Sequence, residues 1–285
     1  MLKSLLICII LLFSHYSISE PLRLQPDEVL ISKGSYYVGQ VFGDHNYNQH
    51  TTTSLHTFLI MKTEITYAFY QSVLAWANKH GYQLNEGCNG ALFEDCQSTD
   101  MDAGLHPVTN VSWWDAVLFA NALSEYSGLI PFYRSSDDRP LRDIPGNGAV
   151  KRVSSGEGYR LPTLEEWHVA ARGGKPALID GTYGTPYSGS TQPESVANFP
   201  AGNSGKFATV KVASKSANAL GLFDMSGNVS EWLDESWRLE SGITLYFYCG
   251  GSFMNHTKTL ASCDMHTPGF ITPDIGFRLV RSRGD

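Results

Sequence analysis

Alternating apolar and polar positions from Val29 to Gly39 predict a β-strand, and a loop rich in Gly, Asn, His and Thr follows to Thr53. A second strand is predicted over 55–62. From Thr66 the period changes: Phe69, Tyr70, Val73, Leu74 and Ala77 recur at helical spacing, and Gly81 is placed to end the helix. Ser112 with Asp115 three residues on forms a capping box ahead of Val117, Phe119, Ala120 and Leu123, which predicts a second, amphipathic helix up to Gly128. The stretch from Tyr133 to Gly158 has little periodicity and reads as loop with room for a short hairpin. Thr163-Leu164-Glu165-Glu166 opens a third helix through another capping box, and Gly173-Gly174 closes it. Beyond residue 175 the composition turns to Gly, Ser, Pro, Asn and Thr, predicting a loop-dominated half with short β-like pieces.

The first residues change the picture of where such a chain works. Met1-Leu2-Lys3 gives a basic start, Leu5 to Phe13 an apolar run, and Ser17-Ile18-Ser19 a small-x-small cleavage site, the layout of a secretory signal peptide over 1–19. The run is too short for a bilayer, which needs about 20 apolar residues, so no membrane span is expected after cleavage. A single domain over 20–285 in the periplasm or outside the cell is the expectation. Its 42% hydrophobic and 12% aromatic content can build a sizeable core. A formal charge of −7 with no Lys/Arg cluster argues against nucleic acid or an anionic membrane as partner.

Past the leader stand Cys88, Cys96, Cys249 and Cys263, an even number that suggests disulfides in an oxidising compartment. Sequence leaves the connectivity open; Cys88–Cys96 and Cys249–Cys263 close the shortest loops and are preferred. A zinc site is the rival, and it lacks closely spaced ligand pairs.

Several pieces then coincide in order: Met61-Lys62-Thr63-Glu64-Ile65-Thr66, Pro107-Val108-Thr109-Asn110-Val111-Ser112-Trp113, Tyr159-Arg160-Leu161-Pro162-Thr163, Glu166-Trp167 and Ala170-Ala171-Arg172-Gly173-Gly174. After them come Gly221 through Trp232, Gly250-Gly251-Ser252-Phe253 and Gly276-Phe277-Arg278-Leu279-Val280. Each is weak alone. Together they resemble the formylglycine-generating enzyme and sulfatase-modifying-factor family, which implies an α+β, loop-rich fold, an elaboration of the C-type lectin domain. As scaffold, the pieces supply aromatic anchors, helix caps and close-approach glycines, and Arg160, Arg172 and Arg278 are expected in structural ion pairs.

Calcium is the ligand the residues favour most, since Asp224, Gly227, Val229 and Glu231 put two carboxylates and two carbonyls in one turn, the hard oxygens Ca²⁺ prefers. The resemblance points to the same four. It also implies a second calcium at the Asn198 side chain, the Phe199 carbonyl and the loop that reads Asn203-Ser204-Gly205-Lys206, where the expected carboxylate is absent.

The resemblance places the two reactive, copper-binding cysteines of the family's oxidases at Asn255 and Leu260, beside Ser252. Neither side chain ligates copper or forms a mixed disulfide, so no catalytic residue is assigned and copper is not expected. Two substitutes stand against this. Cys249 and Cys263 could take over the vacant role, and His256, Asp264 and His266 could make a facial triad for iron. The expected function is a calcium-stabilised, non-catalytic binding module that presents the loop 254–274 to a protein or glycan, such as an envelope or secretion-system component. The alternative is a periplasmic enzyme on the same fold, of the sulfatase-activating or siderophore-maturing kind.

Overall fold

The computed structural model describes residues 26–38, 52–90, 102–146, 148–153, 156–200, 208–255, 258–260 and 262–283. The proposed leader lies outside them. Among the described residues, no helix is long and apolar enough to cross a membrane.

The first predicted strand is two, β1 (Glu28–Ile31) and β2 (Gly34–Tyr37), and the second is also two, β3 (Thr52–Leu55) and β4 (Phe58–Met61). Both runs break at matching points, where the Lys33 N–H donates to Thr57 Oγ1. The break lets one length of chain serve two sheets. β1 pairs with β4 from Glu28↔Met61 to Ile31↔Phe58, while β2 pairs with β3. The expected end of the first strand, Gly39, lies outside the described residues.

Helix α1 (Tyr67–Ala77) starts where the Thr66 side chain accepts the Phe69 N–H, and a 3₁₀ turn over Asn78–His80 carries it to Gly81 at φ +80°. Helix α2 (Trp113–Tyr126) has the predicted capping box between Ser112 and Asp115. It is not amphipathic: every residue from Trp113 to Ser124 is buried, because α1, the chain around Tyr133 and the C-terminal segment enclose it. Asn121 is affordable at its centre because its amide bridges the Tyr133 and Leu141 carbonyls.

Short strands β5 (Tyr133–Arg134) and β6 (Lys151–Arg152) pair as the hairpin expected there, followed by β7 (Tyr159–Arg160). Helix α3 (Leu164–Ala171) has the Thr163/Glu166 capping box. Its closing glycines also open a further helix, α4 (Gly174–Asp180), which the composition concealed; α5 (Pro193–Val196) is one turn.

The C-terminal half departs from the expected short pieces. Ser230–Arg238 forms β8, the longest strand described, and Thr244–Cys249 forms β9 opposite it. With β10 (Cys263–His266) and β11 (Ile275–Gly276) they make a sheet ordered β10-β9-β8-β11, in which β11 runs parallel to β8. The last strand, β12 (Val280–Ser282), returns to the first sheet, ordered β1-β4-β12-β7. The C-terminus is thus central to the sheet that begins the domain, and the fold is α+β as expected.

Candidate functional site

The turn between residues 223 and 231 buries Met225 in one apolar cluster and leads into Trp232 of the other. Asp224, Gly227 and Asn228 all take positive φ, at 57°, 74° and 61°. The turn lies flat against Asn198, so a Cβ on Gly227 would stand 2.7 Å from the Asn198 carbonyl oxygen. Asn228 donates its backbone N–H to that same oxygen at 2.9 Å, and its side chain donates to Glu64 Oε2 at 2.8 Å. Glu64, buried at the exit of β4, accepts the Val229 N–H through its other oxygen at 3.1 Å.

Glu231 faces Arg278, and both are buried. Arg278 Nε donates to both carboxylate oxygens at 2.9 and 2.8 Å, Nη2 donates to Oε1 at 2.7 Å, and Trp167 Nε1 donates to Oε2 at 2.8 Å. The remaining guanidinium hydrogens reach the carbonyls of Met61, Lys62 and Phe223. Burial works against the charge on Arg278, but Glu231, Glu64 and Asp224 outweigh it and hold its pKa above the usual value.

Three carboxylates share this one guanidinium. Burial pushes Glu64 well above the usual carboxylate range, and the neighbouring charges of Asp224 and Glu231 add to the rise. Burial likewise raises Asp224, whose Oδ2 accepts the Ala213 N–H at 2.7 Å. Burial and mutual repulsion thus work against ionising all three together, and a bound cation would offset that repulsion. Glu231 fits less well as its ligand, because three N–H groups, one of them shared between both oxygens, already occupy most of the acceptor sites of its carboxylate. Donors for calcium in this turn therefore reduce to Asp224 and the Gly227 and Val229 carbonyls. Of the second calcium set, the Asn198 amide donates to the Ala208 carbonyl at 3.0 Å, and Asn203 to Lys206 lie outside the described residues.

Gly250 and Gly251 follow β9 at φ +97° and +70°. A Cβ on Gly251 would stand 3.1 Å from both Phe199 and Lys258, so the chain just before Ser252 is closely packed. Ser252 is buried, its hydroxyl 2.7 Å from Asp274 Oδ2 and 2.9 Å from Asn255 Oδ1. It latches the start of the 254–274 loop to its end. Leu260 points inward: it is 1% exposed, packs in the same core cluster as Phe247 and Met265, and donates its N–H to the Pro186 carbonyl at 2.9 Å.

Cys249 and Cys263 are cross-strand partners and form a disulfide. Cys88 is also disulfide-bonded, and its expected partner Cys96 lies outside the described residues. The iron triad is not assembled among the described residues. Asp264 pairs with Lys258, His266 stacks on Phe270 with ring centroids 3.5 Å apart, and His256 lies outside the description.

Of the three framework arginines, Arg160 forms a buried bidentate pair with Glu166, at 2.6 and 2.7 Å, and Arg278 pairs with Glu231. Arg172 departs from the expected ion pair. Among the described residues it reaches the Tyr183 carbonyl at 3.3 Å and the Tyr183 ring, and its Nε has no hydrogen-bond partner. One turn earlier on α3, His168 is fully buried with Nδ1 unpartnered, and its Nε2 lies 3.8 Å from Cys263 Sγ. Burial, then the Arg172 charge, lowers its pKa to about 3, so the ring is neutral. Neither Glu64 nor His168 stood out in the sequence as a site residue. The usable signal was a charged or polar side chain inside an otherwise apolar stretch, such as Trp167-His168-Val169-Ala170.

Residues 16–283 match the sulfatase-modifying factor enzyme 1-like domain, and the chain belongs to that family. The crystal structure of CarF superposes with a TM-score of 0.85 at 54% identity, covering 91% of this chain and 99% of that one. The chaperone protein LppX of Paenibacillus barcinonensis is 28% identical over 98% of both chains. From Mus musculus, the inactive C-alpha-formylglycine-generating enzyme 2 is 26% identical over 68% of this chain and 65% of its own. The formylglycine-generating enzyme of the same organism is 27% identical over 71% and 61%. Relatives of this chain therefore include both enzymes and non-catalytic forms.

Proposed function

We propose that this protein is a non-catalytic, periplasmic or secreted binding module that presents the segment 254–274 to a protein partner. The observation that carries the reading is Leu260, an apolar side chain packed into the core at the position the family's oxidases give to a reactive cysteine. Asn255, at the other such position, is held by Ser252. Neither Asn255 nor Leu260 offers a thiol, and without one these positions have no route to oxidise a substrate thiol.

The described parts of the segment are tied down at three points. Its ends are tied by Ser252 and Asp274, the disulfide fixes its middle, and Met254 and Ile271 stay exposed on it, at 36% and 46%. A rigid display of apolar side chains lowers the ordering cost of association. The relative LppX is a chaperone protein, which favours a protein over a glycan.

The test has two arms. A cysteine-containing sulfatase peptide, incubated with the purified chain, copper and oxygen, is expected to remain unconverted, and aldehyde formation would overturn the reading. A photocrosslinking residue at Met254 or Ile271 is expected to capture a protein from the native envelope, and one on α4 is not. Equal capture at both places, or binding to glycans alone, would remove the assigned surface or partner class.

Calcium is part of the proposal through Asp224 and the carbonyls of Gly227 and Val229. There it would supply positive charge to the carboxylate surplus beside Arg278, a role in stability only.

A further inference from the structure

The Cys249–Cys263 disulfide joins directly opposed positions of β9 and β10, so the strand ladder itself sets both cysteines side by side. Helix α3 brings a third donor to the same point. His168 offers a ring nitrogen, and it and the two sulfurs all lie within 4.8 Å of one another, the only such trio of metal-type donors among the described residues. A buried imidazole ordinarily satisfies its nitrogens. Here, among the described residues, Nδ1 has no partner and Nε2 lies 3.8 Å from Cys263 Sγ.

We infer that reduction of the Cys249–Cys263 disulfide converts this trio into a site for one soft monovalent cation, held by two thiolates and the His168 imidazole. The oxidised form has no such capacity, since thiolate is the ligating species. A dithiol reductant transfers two electrons and two protons to the sulfur–sulfur bond and becomes a disulfide itself. The two cysteine thiols then release their protons as the metal binds.

Charge selects the ion. Arg172, one turn along α3 from His168, has no carboxylate partner among the described residues and keeps one positive charge beside the site. Two thiolates, this guanidinium and a monovalent cation are neutral together, whereas a divalent ion leaves an excess positive charge in a buried place. Thiolate donors also favour soft ions such as Cu(I) over harder ones. In an oxidising compartment the site stays closed, so metal capture would be conditional on reduction.

The full chain, reduced under nitrogen and freed of reductant, is titrated with Ag(I), a redox-inert probe of the same softness, against a competing chelator. One equivalent more than a Cys249→Ser/Cys263→Ser variant retains is expected to survive competition in the reduced protein, and no such extra equivalent in the oxidised protein. Cys263→Ser is expected to abolish it, and His168→Gln to weaken it by at least about 10-fold, the loss typical of disturbing a metal's surroundings. X-ray absorption on the Cu(I)-loaded wild type, which depends on no variant folding, is expected to show two sulfur scatterers and one nitrogen. An all-sulfur shell, or binding unchanged in Cys263→Ser through the other cysteines, would overturn the assignment. Zn²⁺ bound as tightly as Ag(I) would overturn the charge argument.

Discussion

Arg278, from the last residues of the chain, closes on Glu231 in β8 with donor–acceptor distances of 2.7 to 2.9 Å, and neither side chain meets solvent. The same guanidinium holds the carbonyls of Met61, Lys62 and Phe223, so one residue joins the end of β4, the 223–231 turn and β8. Removing either partner leaves a charge buried without its counterpart.

Glu231→Gln is therefore expected to destabilise the fold by about 3–5 kcal/mol, the usual cost of breaking a buried pair. Urea unfolding at neutral pH measures it. A loss under about 1 kcal/mol, the worth of a surface pair, would show that the pair is not needed for folding.

Leu260→Ala should cost about 2–5 kcal/mol, because it empties part of a packed core. The same substitution at an exposed reactive position would be nearly silent. A neutral result would weaken the argument that this position has been turned over to packing.

His168 makes stability depend on pH in a defined window. Its folded pKa is about 3 against an ordinary 6.5, so the unfolded chain takes up the proton first as pH falls. The neutral ring's contribution is complete above 6.5 and is lost progressively towards 3, at about 1.4 kcal/mol per unit of pH at most. Glu64 acts in the opposite sense: its raised pKa makes the fold lose stability as pH rises from the ordinary carboxylate value. The two are separated by comparing wild type with His168→Met in guanidinium titrations between pH 3 and 7. The variant is expected to lose the acid-side slope, and retention of that slope would show that His168 is not its source.

Calcium, if held by Asp224 and the two carbonyls, raises the melting temperature in proportion to the logarithm of its concentration once saturating, since a ligand of the folded state alone stabilises it by mass action. Asp224→Asn should remove the response. No shift in the wild type between EDTA and excess calcium would end the calcium proposal.

The disulfide between Cys249 and Cys263 closes a segment of sequence separation 14. Replacing both with Ala is expected to lower stability by about 3 kcal/mol, the chain-entropy value for a loop of that size. Equality with wild type in thermal unfolding would indicate that the bond constrains little of the unfolded chain.

Much of the scaffold is written locally. Thr66, the Ser112/Asp115 box and the Thr163/Glu166 box begin their helices where the sequence places them, because a cap is satisfied by residues three positions away. Short-range patterns could not show that one strand is divided at Lys33, since the reason is a partner at Thr57. They also concealed β8, whose polar end is stable only because β9 lies opposite it.

The sequence alone determined that Asn255 and Leu260 bring no thiol, a matter of side-chain identity that no folding can alter. Tertiary structure decided the rest. It committed Glu231 to Arg278, 47 residues away, left Arg172 without an acid among the described residues, and set His168 against Cys263 of a disulfide, 95 residues distant. Such pairings depend on which long-range contacts exclude water together, and a linear pattern of residues carries no record of that.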